Sequence, residues 1–206
     1  MRSKIKFISE MDYQYLTSLF SGYSNPRVQI GKLLREGKII RIKKGLYIAG
    51  HESSDSFSSE ILANLIYGPS YISLEYALSW HGLIPERVKT VASMTPKRKK
   101  HFVTPIGEFD YHYLSVEKYS VGMMQVPVGE GQRVALMATP EKALADKLAR
   151  EEKLKTKKDL ASYLFEDLRI DFTALAKFRL THFHEVCRCY RHWNTTMAYA
   201  WLKEQK

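Results

Sequence analysis

Cysteine is nearly missing from this 206-residue chain: Cys187 and Cys189 are the only two. Two positions apart in regular structure, they are badly placed to pair with each other. That excludes a disulfide-stapled secreted scaffold and fits a reduced, cytoplasmic protein. Long apolar runs are missing too; none approaches the ~18 residues a membrane span needs. The early basic residues Arg2, Lys4 and Lys6 have no apolar stretch behind them, so no secretory signal is expected. There is no phosphate-binding G-x-x-x-x-G-K loop, no G-x-S-x-G elbow and no G-x-G-x-x-G fingerprint. Seven prolines and eleven glycines form no low-complexity tract. Acidic residues are also scarce, 22 Asp and Glu against 32 Lys and Arg, for a net charge of +10. A 45% hydrophobic content rules out wholesale disorder. The excess positive charge makes nucleic acid the first candidate partner.

The charge is unevenly spread. Residues 1–50 hold ten bases against three acids, a balance of +7, whereas residues 51–206 hold 22 against 19. This suggests a small basic module joined to a larger, nearly neutral domain. The serine-rich stretch 51–59 reads as the boundary, giving domains over 1–50 and 58–206.

Within the basic module, Ile8, Met11, Tyr15 and Leu19 recur at helical spacing, which predicts a helix over 7–20 with Ser9 as its cap. Ser21 to Ser24 break it. Asn25-Pro26 starts a second helix that ends at Gly37. Residues 38–43 and 46–49 read as two strands around a Lys44-Gly45 turn. Helix, turn, helix and basic hairpin outline a winged helix-turn-helix.

On the second helix, Ile30, Leu33 and Leu34 cluster toward a core, leaving Val28, Gly31, Lys32 and Arg35 outward, flanked by Arg27 and Gln29. Arg27 and Gln29 suit base edges, since Arg reads guanine and Gln reads adenine bidentately. Val28 suits a thymine methyl. Lys32 and Arg35 suit phosphates, and Ser24 and Asn25 at the helix start suit another. Arg41, Lys43 and Lys44 line the hairpin, with Ile40 and Ile42 on its other face. An amphipathic helix with a solvated basic face would explain the helix by itself; the basic hairpin after it favours DNA.

Beyond residue 58 the pattern predicts short helices, strands over 88–94, 101–104, 107–115, 122–128 and 132–137, a helix from Pro140 through 153, and two or three helical pieces over 157–206. The fold class expected is α+β: the N-terminal winged helix, then a mixed domain with a small antiparallel sheet and a helical C-terminal part. A run of Lys97, Arg98, Lys99 and Lys100 offers either a solvated loop or a second basic contact. His182, His184, Cys187, Cys189 and His192 invite a metal reading, but C-x-C with H-x-H is not a structural zinc spacing. Glu108 and Asp110 share a strand face with Glu117 beyond, the raw material of a metal-dependent nuclease, without a lysine at the expected offset. Tyr111, Tyr113 and Tyr119 suit strand packing more than stacking of single-stranded bases. No metal, cofactor or catalysis is expected. A nuclease, or an interaction module without DNA binding, stands as the alternative.

Four stretches together resemble the AbiEi-type antitoxin family, transcriptional regulators of bacterial abortive-infection operons. GKLLREGKIIRIKKGLYI (31–48) is similar to the end of that family's winged helix, and YISLEYALSWHGLIPE (71–86) to the start of its C-terminal domain. TPKRKKHFVTPIGEFDYHYLS (95–115) resembles its basic loop and following hairpin, and ATPEKALADKLA (138–149) a helix start. The resemblance implies a repressor that binds inverted repeats in its operator. It also implies an antitoxin that counteracts a nucleotidyltransferase-like toxin, with direct contact left open, and phage defence as the setting. Carried over by position, the DNA contacts fall on 26–36 and 41–47. The chain departs from that family in having room for one helix, rather than two, before residue 25. Its tail over 155–206 matches no part of the pattern. A dimer interface is not defined by the residues, so the oligomeric state stays open.

Overall fold

The computed structural model describes residues 7–50, 57–129, 133–152 and 154–205. Arg2, Lys4, Lys6 and most of the serine-rich boundary (51–56) lie outside the described residues. The chain is mixed α+β, 44% helical and 22% strand, with a small antiparallel sheet and C-terminal helices. Among the described residues no helix is long and apolar enough to cross a membrane.

The first element corrects the sequence expectation. Instead of a helix over 7–20, Glu10–Asp12 forms strand β1, and helix α1 covers only Tyr13–Leu19. The cap is Asp12, whose carboxylate accepts from the Tyr15 N–H at 2.7 Å, and not Ser9. The strand drives Met11 into a core where it is 1% exposed. Helix α2 (Pro26–Arg35) then starts with proline in its first turn, as expected. Strands β2 (Ile39–Lys43) and β3 (Leu46–Ala49) follow, turning through Gly45 at φ +86°, a conformation that suits glycine.

This three-stranded antiparallel sheet, ordered β1-β3-β2, has two apolar faces. Because side chains alternate, Met11, Ile39, Tyr47 and Ala49 meet Leu16, Phe20, Ile30 and Leu33 of α1 and α2 in a small core. Ile42, Leu46 and Ile48 point the other way and join the large core of the rest of the chain. The basic module is therefore docked through its sheet. Glu10 strengthens the junction, accepting from the Ser58 N–H at 2.7 Å and pairing with Arg133 at 2.8 Å.

Gly50, just past β3, passes so close to Gly37 that a Cβ there would lie 2.0 Å from the Gly37 carbonyl oxygen, a backbone atom that cannot swing aside. Its own N–H donates to the Lys38 carbonyl at 2.8 Å. Gly50→Ala should therefore destabilise the chain by roughly 2–4 kcal/mol, among the larger single-residue effects. A melting temperature unchanged from wild type would contradict this packing.

Helix α3 (Ser59–Ile66) is capped by the Ser58 hydroxyl. Strand β4 (Tyr71–Ile72) and helix α4 (Leu74–Trp80) follow. Then come β5 (Val91–Thr95), β6 (Lys100–Thr104), β7 (Gly107–Tyr113), the short helix α5 (Val116–Tyr119), β8 (Met123–Pro127) and β9 (Val134–Ala138). These strands form one six-stranded sheet, ordered β6-β7-β5-β4-β9-β8. It is larger than the sheet expected for this part and mixed: β5 pairs with β7, and β4 with β9, in parallel. Turn residues announce hairpins such as β6–β7, but parallel neighbours are joined by longer crossovers that leave no turn signal.

Helix α6 (Pro140–Leu148) stops earlier than expected. The tail forms α7 (Lys157–Ser162), a π-helical turn over Tyr163–Asp167, α8 (Phe172–Ala176), α9 (Leu180–Tyr190) and α10 (Trp193–Glu204), more pieces than the pattern predicts.

Candidate nucleic-acid interface

Helix α2 buries Ile30 and Leu33 and turns its opposite side to solvent. Ser24, Asn25, Arg27, Lys32 and Arg35 are exposed, Val28 is 57% exposed, and Gln29 is half-buried. Asn25 holds the cap position but its side chain makes no capping bond. Arg27 is not loose: its Nε donates to the Tyr13 hydroxyl at 3.0 Å, which fixes the guanidinium root beside the first turn of α2. Arg35 Nε reaches the Gly31 carbonyl at 3.4 Å. Lys32 lies 3.8 Å from Glu36, which also pairs with Lys38 at 2.8 Å; such exposed pairs are weak and exchange readily for phosphate.

Arg41 stands opposite Tyr47 in the β2–β3 register, which places it on the helix side of the sheet. It is exposed, as is Lys44 at the hairpin turn. Lys43 behaves differently from the sequence reading. The register slips between Arg41 and Lys43, and this bulge turns the Lys43 ammonium inward to donate to the Ile66 carbonyl at the end of α3. Burial, then nearby Lys100 and Lys97, lower its pKa. Lys43 thus stitches the hairpin to the larger domain and does not share the outward face.

The basic run divides similarly. Lys97 Nζ donates to the Gly68 carbonyl at 2.5 Å and sits 5.3 Å from the centre of the Tyr67 ring. Lys100 lies 5.4 Å from Tyr67 and 5.1 Å from Phe102. Two of the four cations are thereby engaged with ring faces and the Gly68 carbonyl, while Arg98 and Lys99 are exposed. Lys97 and Lys100 lie close to Lys43, beside the hairpin turn.

Two residues escape sequence reasoning. Tyr23, 48% exposed and edge-on to Phe20 at 5.7 Å, presents an aromatic ring just before α2. Tyr13 anchors Arg27, a pairing fourteen positions apart that no local pattern encodes.

The other constellations separate. His182 contacts Thr139 at 3.2 Å, His184 stacks on Tyr199 at 4.5 Å, and His192 accepts from the Asn194 N–H at 3.3 Å. Burial raises the Cys187 thiol to about 12. Among the described residues no group of three His, Cys, Asp or Glu is placed to hold a metal ion. Asp110 pairs with His101 at 2.8 Å, Tyr111 is buried with its hydroxyl donating to the Ala63 carbonyl at 2.6 Å, and Tyr119 packs on Tyr71.

A buried polar network, unforeseen from sequence, lies within the larger domain. Asp146 is 1% exposed and accepts from Tyr71 at 2.9 Å, from Ser73 at 2.7 Å and from the Tyr190 hydroxyl. Lys142, one turn earlier on α6, is fully buried over the Tyr190 ring at 4.6 Å and donates to the Lys118 carbonyl. Burial pushes the Asp146 carboxyl up and the Lys142 ammonium down, each partly offset by the other.

Three imidazoles, His81, His112 and His192, are held below the usual value of 6.5, in each case first by burial. A group with a depressed folded pKa binds fewer protons in the folded state. Its stabilising share is present above about pH 6.5 and is lost as pH falls through the folded value. The melting temperature should therefore drop between about pH 7 and pH 5, and His81→Gln should make that drop shallower. An identical pH slope in the variant would contradict the assignment.

No family model matches the chain, and no curated protein matches it significantly.

Proposed function

We propose that residues 1–50 form a winged helix-turn-helix that binds double-stranded operator DNA, with α2 as the helix entering the major groove. One observation carries this reading. Arg27, Lys32, Arg35 and Arg41 are exposed on the helix side of a module whose opposite sheet face is buried against the rest of the chain, and Lys44 is exposed at the hairpin turn. A solvated basic surface needs no such arrangement. A DNA reader needs it, with long side chains at the helix start for bases and cations on helix and hairpin for phosphates. Val28, Gln29, Ser24 and Asn25 complete the contact set, and Arg98 and Lys99 extend it.

The likeness of four stretches to AbiEi-type antitoxins supports a fuller reading. The chain acts as a transcriptional repressor of its own toxin–antitoxin operon, bound at inverted repeats, and counteracts a nucleotidyltransferase-like toxin. It performs no catalysis of its own. The test is a mobility-shift assay with the duplex upstream of its own reading frame, beside a scrambled duplex of equal length and excess competitor. The upstream duplex should shift at concentrations where the scrambled one does not. Equal behaviour of the two, or no shift of either, overturns specific operator binding.

A further inference from the structure

A cleft of about 710 Å³ opens on the side of the larger domain, between the strand end at Tyr113, helix α5, the segment after α6 and the α9–α10 corner. That volume falls within the ~300–1,000 Å³ typical of small-molecule sites. The DNA reading above makes no use of it, and the inference that follows does not rest on that reading.

Three features describe what would fit. First, two flat rings stand at the cleft and are unusually open for their size: Trp193 is 64% exposed and Tyr113 60%. Rings left in water beside a concavity are stacking platforms. Second, the charged lining is mixed: Lys118 and Arg150 stand there together with Glu151 and Glu152, and the twelve-residue helix α10 begins there, presenting the positive end of its dipole. His192 adds a neutral donor, because its Nδ1 accepts from the Asn194 N–H and leaves the proton on Nε2. Third, the cleft reaches the buried Asp146. A carboxylate offers about four lone-pair sites, and Tyr71, Ser73 and Tyr190 use three of them. The remaining one suits an N–H or O–H donor of a bound molecule.

A ligand that satisfies all three has an anionic end for Lys118 and the helix terminus, a flat ring for Trp193 and Tyr113, and donors for Asp146. We propose that this cleft binds a nucleoside phosphate. A free sugar phosphate lacks the ring, and a nucleoside lacks the anion.

Isothermal titration of the full chain with AMP, adenosine and inorganic phosphate tests this. AMP should bind, and both adenosine and phosphate should bind at least about tenfold more weakly, since each loses one set of contacts. Lys118→Ala should weaken AMP about tenfold and leave adenosine unchanged. Trp193→Ala should weaken both about tenfold, and Trp193→Phe should restore most of the loss, because phenylalanine keeps a stacking face. Both positions line the cleft, and circular dichroism of the variants should match the wild type. No AMP binding at millimolar concentration overturns the proposal. So does AMP binding that is unchanged in both Lys118→Ala and Trp193→Ala, or phosphate binding as tightly as AMP.

Discussion

Arg27→Ala should cost about 1–3 kcal/mol of affinity for the operator duplex, a loss of roughly ten- to a hundredfold, and much less for a scrambled duplex. The asymmetry comes from position. Arg27 is the second residue of α2, in the turn that enters the groove first, and its Nε bond to Tyr13 leaves the terminal guanidinium nitrogens to reach outward. A guanidinium pre-oriented in this way loses little entropy when it forks onto a guanine edge. Arg35, in the last turn, should behave as a phosphate contact, so Arg35→Ala should weaken both duplexes by the same factor. Tyr13→Phe removes the anchor but not the cation, and should reduce the preference for the operator while sparing scrambled binding. Equal losses on both duplexes for Arg27→Ala would sink its base-reading role.

The largest effect on stability should come from Asp146→Ala. The substitution leaves the Lys142 ammonium buried without its carboxylate and strips three hydroxyls, those of Tyr71, Ser73 and Tyr190, of their common acceptor. Removing one member of a buried charge pair costs about 3–5 kcal/mol, because the survivor stays desolvated. For a domain of this size that is a fall in melting temperature of roughly 10 °C. Removing both charges is a different matter. Asp146→Leu combined with Lys142→Met clears the buried charge altogether, and should be less damaging than Asp146→Ala by itself. A double variant worse than the sum of the two single variants would show that the hydroxyl network, and not the buried charge, dominates this part of the interior.

Local chemistry was legible where local chemistry decides. Asn25-Pro26 and Gly37 bracket α2, and Lys44-Gly45 marks the hairpin turn, because a proline in the first turn and a positive φ are requirements of a few adjacent residues. Strand β1 was misread because Glu10–Asp12 is extended only by pairing with β3, far along the chain. The inward turn of Lys43 follows from a one-residue register slip that alternation by itself does not foretell. Lys142 and Asp146 carry the charges of a solvated helix face, yet both are buried, since α6 is packed on nearly every side. The outer face of α2 needed only the helical period and a basic hairpin to be found. The cleft at Trp193 needed four separated segments brought together, and no window of sequence contains them.

The account turns on whether the outward cations of α2 and the hairpin meet phosphates. Each phosphate contact contributes about 0.9 to the slope of log affinity against log salt concentration. The decisive measurement is that slope for the wild-type chain and for one carrying Lys32→Ala, Arg35→Ala, Arg41→Ala and Lys44→Ala, on the same upstream duplex. The slope should become shallower by about 3 to 4 in the variant, with folding unchanged. An identical slope in the two proteins would place the DNA contact elsewhere on the molecule and contradict the assignment of this face.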